Sequence, residues 1–278
     1  MSQPEVSQLN KTQSLLRLQS VLNGLGSVLI AYSGGVDSTF LCKVAFETLG
    51  DKAVAVTARS STYPTRELEA ARSIAKQIGI RHLEIESEEL EIPGFAQNDR
   101  NRCFYCKQEL FSKLAGLATE LDLKVVLEGS NLDDNADYRP GLKAAEALGI
   151  ISPLRQAGFD KQLIREISRD LNLSTWDKPS FACLSSRFPY GESINPEKLR
   201  QVEQAEQFLF DRGFTQVRVR HHGDIARIEL LPAEFSRLID PQFSEAISNH
   251  FRKLGFLYTT ADLTGYRTGS LNEGFHKS

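Results

Sequence analysis

Several things are scarce in this chain of 278 residues, and each scarcity removes a class of protein. Cysteine occurs four times, too few for the disulfide framework of a small secreted domain; in a reducing compartment such thiols are catalytic, metal-binding or simply buried. No apolar run approaches the ~20 residues that cross a bilayer, and the polar N-terminus carries no signal-peptide core, so a soluble, cytoplasmic protein with no membrane partner is expected. Excess positive charge is absent: the net charge is −3 and the pI is near 6.0, leaving no global footprint for nucleic acid. Internal repeats and low-complexity segments are missing. So is the G-x-x-x-x-G-K-[ST] spacing of a Walker loop. What remains is ordinary globular composition, 41% hydrophobic and 25% charged, long enough for one large domain or two smaller ones.

The most informative stretch runs from Leu29 to Ser38. An apolar segment ending at Ala31 meets Ser33-Gly-Gly-Val-Asp-Ser38, and a helical pattern (Phe40, Leu41, Val44, Ala45, Leu49) follows at once. Strand, glycine turn and helix N-terminus together present backbone N–H groups and hydroxyls where the helix dipole favours an anion. Gly34 and Gly35 let the backbone come close to it. The expected occupant is a pyrophosphate, with Ala31, Ser33, Asp37 and Ser38 around it.

Strands then alternate with helices. The pattern predicts a helix over 7–24, strands at 27–31, 53–58, 81–85, 125–128 and 150–154, and helices at 65–78, 103–121 and 160–171. This alternation argues for an α/β fold with a doubly wound parallel sheet and a ligand crevice at the strand C-termini. After Leu173 the pattern changes to a long loop, a helix from Pro196, two alternating strands (216–220 and 225–230) joined by His-His-Gly-Asp, two more helices and a last strand. The expected division is 1–175 and a smaller α+β domain over 176–278.

Four further groups of residues carry chemistry. Leu127-Glu-Gly-Ser-Asn-Leu-Asp-Asp134 ends the fourth predicted strand; Gly129 can approach phosphates, and Asp133 and Asp134 are hard oxygen donors suited to Mg²⁺. Asp37 and Glu229 are the other candidate Mg²⁺ ligands. Thr57, near the end of the second strand, is a candidate adenine contact. Cys103 and Cys106 open a helix, where the dipole lowers thiol pKa, and Cys183 lies in the long loop. Three thiolates cannot complete a Cys₄ zinc site; they can hold a 4Fe–4S cluster with one open iron, act as a redox pair plus a nucleophile, or be inert. Cys42 fits the apolar pattern of a helix. In Val217-Arg-Val-Arg220 the arginines share one face of a strand, which makes either a phosphate clamp or a solvated face with ion pairs to Glu229 and Glu206. His221 and His222 are expected in a surface turn.

The glycine loop resembles the PP-loop of ATP pyrophosphatases, which attach AMP to a substrate oxygen and release pyrophosphate. Taken with Gly129-Ser-Asn-Leu-Asp-Asp134, Asp137-Tyr-Arg-Pro-Gly141, Pro179-Ser-Phe-Ala-Cys-Leu-Ser-Ser-Arg187, Val217-Arg-Val-Arg220 and Gly265-Tyr-Arg-Thr-Gly-Ser270, the chain resembles the LarE family over about Leu15 to Glu273. These are ATP-dependent sulfur transferases of nickel-pincer nucleotide synthesis. The resemblance implies adenylation of a carboxylate of pyridinium-3,5-biscarboxylic acid mononucleotide, displacement of AMP by sulfur, and a homo-oligomer. It implies that Arg187, Arg218 and Arg220, with Ser185, Ser186 and Glu206 beside them, hold the substrate phosphate. One branch of the family sacrifices a cysteine corresponding to Cys183. Another has three cysteines, as here, and resembles iron–sulfur thiolases supplied by sulfide or another source. A tRNA thiolase of the same superfamily would need an RNA-binding surface, which the acidic balance disfavours. A synthetase using ammonia would need a glutaminase that is not evident, and a non-catalytic nucleotide sensor would release no pyrophosphate.

Overall fold

A computed structural model of the chain describes residues 3–92, 94–136, 140–267 and 270. It contains two compact units, Met1–Glu89 with Asn101–Phe181, and Leu90–Arg100 with Ala182–Ser278. The short stretch 90–100 thus belongs with the second unit although it precedes most of it in the chain.

The first unit runs α1 (Gln3–Leu25), β1 (Val28–Ala31), α2 (Val36–Leu49), β2 (Ala53–Arg59), α3 (Thr65–Ile78), β3 (Arg81–Glu86), α4 (Arg102–Glu120), β4 (Val125–Leu127), α5 (Pro140–Ala147), α6 (Pro153–Gln156) and α7 (Lys161–Asp170). The four strands lie in the order β3-β2-β1-β4, all parallel. Both faces are covered, which is why β1 and β2 read as apolar runs rather than alternating ones. Val28, Ile30, Ala53 and Ala55 pack with Leu18, Leu22, Phe40, Leu41 and Ile74 on one side. Leu29, Val54 and Val56 pack with Phe111 and Leu114 on the other. Cys42 is fully buried in the first of these cores, and burial pushes its thiol far above the ordinary value.

The chain leaves β1 toward β2 and β3 and returns to β4 on the opposite side. The order therefore reverses between β1 and β4, and the loops following these strands flank the switch point where α/β sheets bind ligands. One sequence expectation is corrected here. Residues 150–154 form no strand: Ile151 makes an isolated bridge to Leu127, and Pro153, with no N–H to give a ladder, opens α6.

The second unit holds α8 (Pro196–Phe210), β5 (Val217–His222), β6 (Ile225–Leu230), α9 (Phe235–Leu238), α10 (Pro241–Lys253) and β7 (Tyr258–Ala261). Its sheet is β5-β6-β7, with β5 antiparallel to β6 and β7 parallel to it. Asn195 caps α8 by accepting from Lys198 N–H, and Val202, Leu209, Val219, Ile228 and Phe251 lie in its core.

Candidate functional site

The loop after β1 is shaped by sequence-local necessity. Gly34 has φ +62°, and a Cβ there would stand 2.9 Å from the Ala71 Cβ. Gly35 is the N-cap of α2, with no side chain to cap the helix. The first-turn N–H groups are therefore left open, as an anion site requires. Ser38 is held inward: its Oγ accepts from Ser33 N–H at 3.3 Å, donates to Gly35 O at 3.3 Å and lies 3.1 Å from Ser33 Oγ. Gly129, after β4, abuts this turn, since a Cβ would sit 3.1 Å from Ser38 N. The two loops expected to meet nucleotide are thus brought together by the strand order.

Two lysines that the sequence did not single out as site residues converge on the same loop. Lys161 Nζ is 2.5 Å from Asp37 Oδ2, while Asp37 Oδ1 is buried without a hydrogen-bond partner among the described residues. Lys178 Nζ donates to Gly34 O at 3.0 Å and pairs with Glu67 at 2.7 Å. Tyr63 Oη donates to Ser33 O at 2.8 Å. Only the position of Lys161 just after the helix cap Asp160 hinted at it; its pairing partner is 124 residues away.

Other candidates are engaged differently. Thr57 is buried; its Oγ1 donates to Tyr32 O at 2.9 Å and lies 2.8 Å from His82 Nε2. A hydroxyl has one proton to give, so Nε2 carries the hydrogen of that contact. Asp133 Oδ2 accepts from Lys161 N–H at 2.9 Å, and Asp134 Oδ2 from Asn131 N–H at 3.0 Å. Residues 137–139 of the Asp137–Gly141 motif lie outside the described residues, as do 268–269 of the Gly265–Ser270 motif.

In the second unit three arginines share a buried setting. Arg187 grips Glu206 through Nε and Nη2 at 2.8 and 2.9 Å, and Glu206 also accepts from Val219 N–H at 2.9 Å. Arg220 grips Glu229 at 3.0 and 2.8 Å and donates to Ser186 O and Ser270 Oγ. Arg218 is 7% exposed and meets no carboxylate or hydrogen-bond acceptor among the described residues. It lies over the Tyr266 ring, 4.6 Å from its centroid. Burial lowers its pKa; Tyr266 and, more weakly, Glu229 oppose, while Arg187 and Arg220 add to the lowering. Glu206 and Glu229 are each gripped by another arginine, so among the three buried guanidiniums Arg218 is the one with no carboxylate contact of its own among the described residues. Ser185 Oγ is buried here without a partner among the described residues.

The expected solvation of this strand is corrected, since β5 is buried on both faces; the expected ion pair of Arg220 with Glu229 is present. His221 and His222 are corrected too. Both belong to β5, and His221 is buried, packed on Phe188 and Phe256 with Nδ1 2.8 Å from Glu192. The turn consists of Gly223 and Asp224. Glu229 is fully buried, with its oxygens held by Arg220, by Arg227 at 3.1 Å and by Ser270. Its oxygens already accept from these donors, which leaves them poorly placed as Mg²⁺ ligands.

None of the four cysteines is in a disulfide. Cys103 and Cys106 lie in the first turns of α4, Cys103 exposed and Cys106 partly buried. Cys106 Sγ is 3.9 Å from Glu89 Oε1, a carboxyl raised by burial. Cys183 precedes a single helical turn, Leu184–Arg187. Its carbonyl accepts from Ser186 N–H at 3.0 Å, Ser186 Oγ at 2.9 Å and Arg187 Nη1 at 3.3 Å, so its backbone is anchored to the arginine cluster. Within either unit, the described residues contain no group of three His, Cys, Asp or Glu side chains placed to hold a metal ion. No described helix is long and apolar enough to cross a membrane.

Comparison with known proteins agrees with this geometry. The NAD synthase family model matches residues 9–102, the stretch with the glycine loop. An uncharacterized protein of Synechocystis sp. is 45% identical over 93% of this chain and 96% of its own length. The pyridinium-3,5-bisthiocarboxylic acid mononucleotide synthase of Lactiplantibacillus plantarum is 36% identical over 94% of each chain. An uncharacterized protein of Methanocaldococcus jannaschii is 30% identical over 87% of this chain and 91% of its own. With its PP-loop at the sheet's switch point and whole-length similarity to a characterised synthase, the chain belongs to the LarE family of ATP-dependent sulfur transferases.

Proposed function

We propose that this enzyme adenylates a carboxylate of pyridinium-3,5-biscarboxylic acid mononucleotide and replaces an oxygen of that carboxylate with sulfur. The observation that carries the substrate is Arg218, a buried cation with no carboxylate contact or hydrogen-bond acceptor of its own among the described residues. A nucleotide phosphate supplies that contact, with Ser185, Ser186, Arg187 and Arg220 beside it and Glu206 and Glu229 holding the arginines in place. A carboxylate is a poor electrophile because oxide would have to leave. Its oxygen attacks the α-phosphorus of ATP, pyrophosphate departs, and the carbonyl carbon then carries AMP as leaving group. Gly34, Gly35 and Ser38 with Lys161 stabilise the departing pyrophosphate. Sulfide attacks the acyl carbon, AMP leaves, and a thiocarboxylate and a proton remain. No side-chain base is needed for that step.

Mg²⁺ fits at Asp37, whose buried Oδ1 lacks a partner among the described residues, with Asp133, which accepts from Lys161 N–H at the start of α7, as a second oxygen donor; it would offset phosphate charge. The three thiols fit a 4Fe–4S centre by donor chemistry, and such a centre would supply an iron site for sulfide. A second reading is favoured by one observation: Cys183 is the cysteine of the arginine unit, anchored through its own carbonyl. There its Sγ attacks the acyl-adenylate and AMP leaves; loss of the Cys183 α-proton then breaks Cβ–Sγ, leaving dehydroalanine and the thiocarboxylate. Anaerobic reconstitution with iron and sulfide separates the two. A brown protein whose colour needs Cys103, Cys106 and Cys183 but not Cys42 supports the cluster. A colourless protein that loses the mass of H₂S after one turnover supports sacrifice. A cytoplasmic homo-oligomer belongs to the same reading, and sedimentation of a monomer would remove that part alone.

A further inference from the structure

A trans peptide carries its C=O and N–H on opposite edges. Whatever grips the carbonyl therefore decides where the amide points. Two consecutive peptides of the loop after β1 are gripped in this way. Tyr63 Oη donates to Ser33 O at 2.8 Å, which fixes the 33–34 peptide and with it Gly34 N–H. Lys178 Nζ donates to Gly34 O at 3.0 Å, which fixes the 34–35 peptide and with it Gly35 N–H. Neither of these amides meets an acceptor among the described residues, whereas Ser33 N–H is taken by Ser38 Oγ. Two adjacent glycines have no Cβ to restrict them and would otherwise sample many orientations. The grips are themselves held. The Tyr63 ring meets Phe181 edge-on at 6.0 Å, and Lys178 is neutralised by the buried Glu67 at 2.7 Å. Burial, followed by Glu67, raises the Tyr63 phenol above its ordinary value, so it stays a donor.

We propose that Tyr63 and Lys178 are positioning residues that lock two PP-loop peptides with their amides turned toward incoming phosphate, so that ATP meets a cradle already formed. The inference rests on the nucleotide reading of this loop. Neither side chain needs to touch the nucleotide: each acts through the carbonyl it holds, and the saving is the ordering cost the loop would otherwise bear at binding.

Calorimetric titration of wild type, Tyr63→Phe and Lys178→Met with ATP, and separately with adenosine, tests this. Losing one hydrogen bond of this kind weakens binding by about fivefold. Each variant should lose about that much affinity for ATP and none for adenosine, which has no phosphate for the cradle. An unchanged ATP affinity in Tyr63→Phe overturns the inference, because Lys178 alone would then be acting as a charge. An equal loss for adenosine also overturns it, since a generally loosened site would move both ligands. A wild-type protein that binds no ATP at all sinks the nucleotide reading itself, and the inference with it.

Discussion

Arg187, Arg218 and Arg220 sit in one cluster, yet removing them should have opposite consequences for folding. Arg187→Met strands the buried Glu206 carboxylate with a single backbone N–H, a loss of about 3–5 kcal/mol. Arg220→Met leaves Glu229 with Arg227 and Ser270, so about 3 kcal/mol is expected. Arg218→Met strands nothing and removes a cation that faces two others; stability should stay within about 1 kcal/mol of wild type. Affinity for the pyridinium mononucleotide should fall in the same variant by about tenfold or more, the worth of a charge-assisted contact. Urea melts beside calorimetric titration check both halves. Large destabilisation in Arg218→Met, or normal nucleotide affinity, would contradict the assignment. The strand's alternation showed that Arg218 and Arg220 share a face. It did not show that each arginine has a different debt, because the partners Glu206 and Glu229 come from another helix and another strand.

Among the elements, the glycine loop gives the sharpest expectation. Gly34→Ala must place a side chain at positive φ, and its Cβ meets Ala71 at 2.9 Å and the Ala71 backbone at 3.2 Å. The variant should lose about 1–3 kcal/mol of stability, together with pyrophosphate release. Wild-type melting would mean that the loop is not built as described. On the sheet, His82 is lowered below its ordinary 6.5 by burial; Glu84 opposes the shift and Arg72 reinforces it. The unfolded chain then takes up the proton before the folded one does, so the contribution of neutral His82 is fully present above pH ~6.5 and is lost as pH falls through the folded value. Wild type should lose more stability between pH 7.5 and 5.5 than His82→Gln, and parallel losses would contradict this. The same elements explain what the sequence reveals. β1 to β4 are legible because parallel strands buried on both faces leave apolar runs, and α3 and α7 because Pro64 and Asp160 mark their starts. Residues 150–154 begin with the apolar pair Ile150-Ile151, but Pro153 denies the segment a ladder. His221 and His222 look like turn residues because polarity suggests exposure, whereas Phe188 and Phe256 cover His221.

At the scale of the whole molecule, the phosphate-binding loop and the arginine cluster belong to different compact units. Cys103 and Cys106 lie with the first, and Cys183 with the second. The PP-loop was legible because a strand, a turn and a helix start are contiguous in sequence. Lys161 and Lys178 were not, since only the fold carries them to Asp37, Gly34 and Glu67. Cys183→Ala should abolish product under either sulfur chemistry. Cys103→Ala and Cys106→Ala should abolish it only if the three thiols act together; full activity in both would leave Cys183 as the donor.

The central claim is that ATP is cleaved to activate a pyridinium carboxylate for sulfur. It is tested most directly by incubating the anaerobic protein with ATP, Mg²⁺, sulfide and pyridinium-3,5-biscarboxylic acid mononucleotide, then quantifying AMP, pyrophosphate and thiocarboxylate together. The account predicts AMP and pyrophosphate in equal amounts, both dependent on the mononucleotide, and a product in which sulfur has replaced a carboxylate oxygen. Release of ADP and phosphate, or AMP formation indifferent to the mononucleotide, would contradict it.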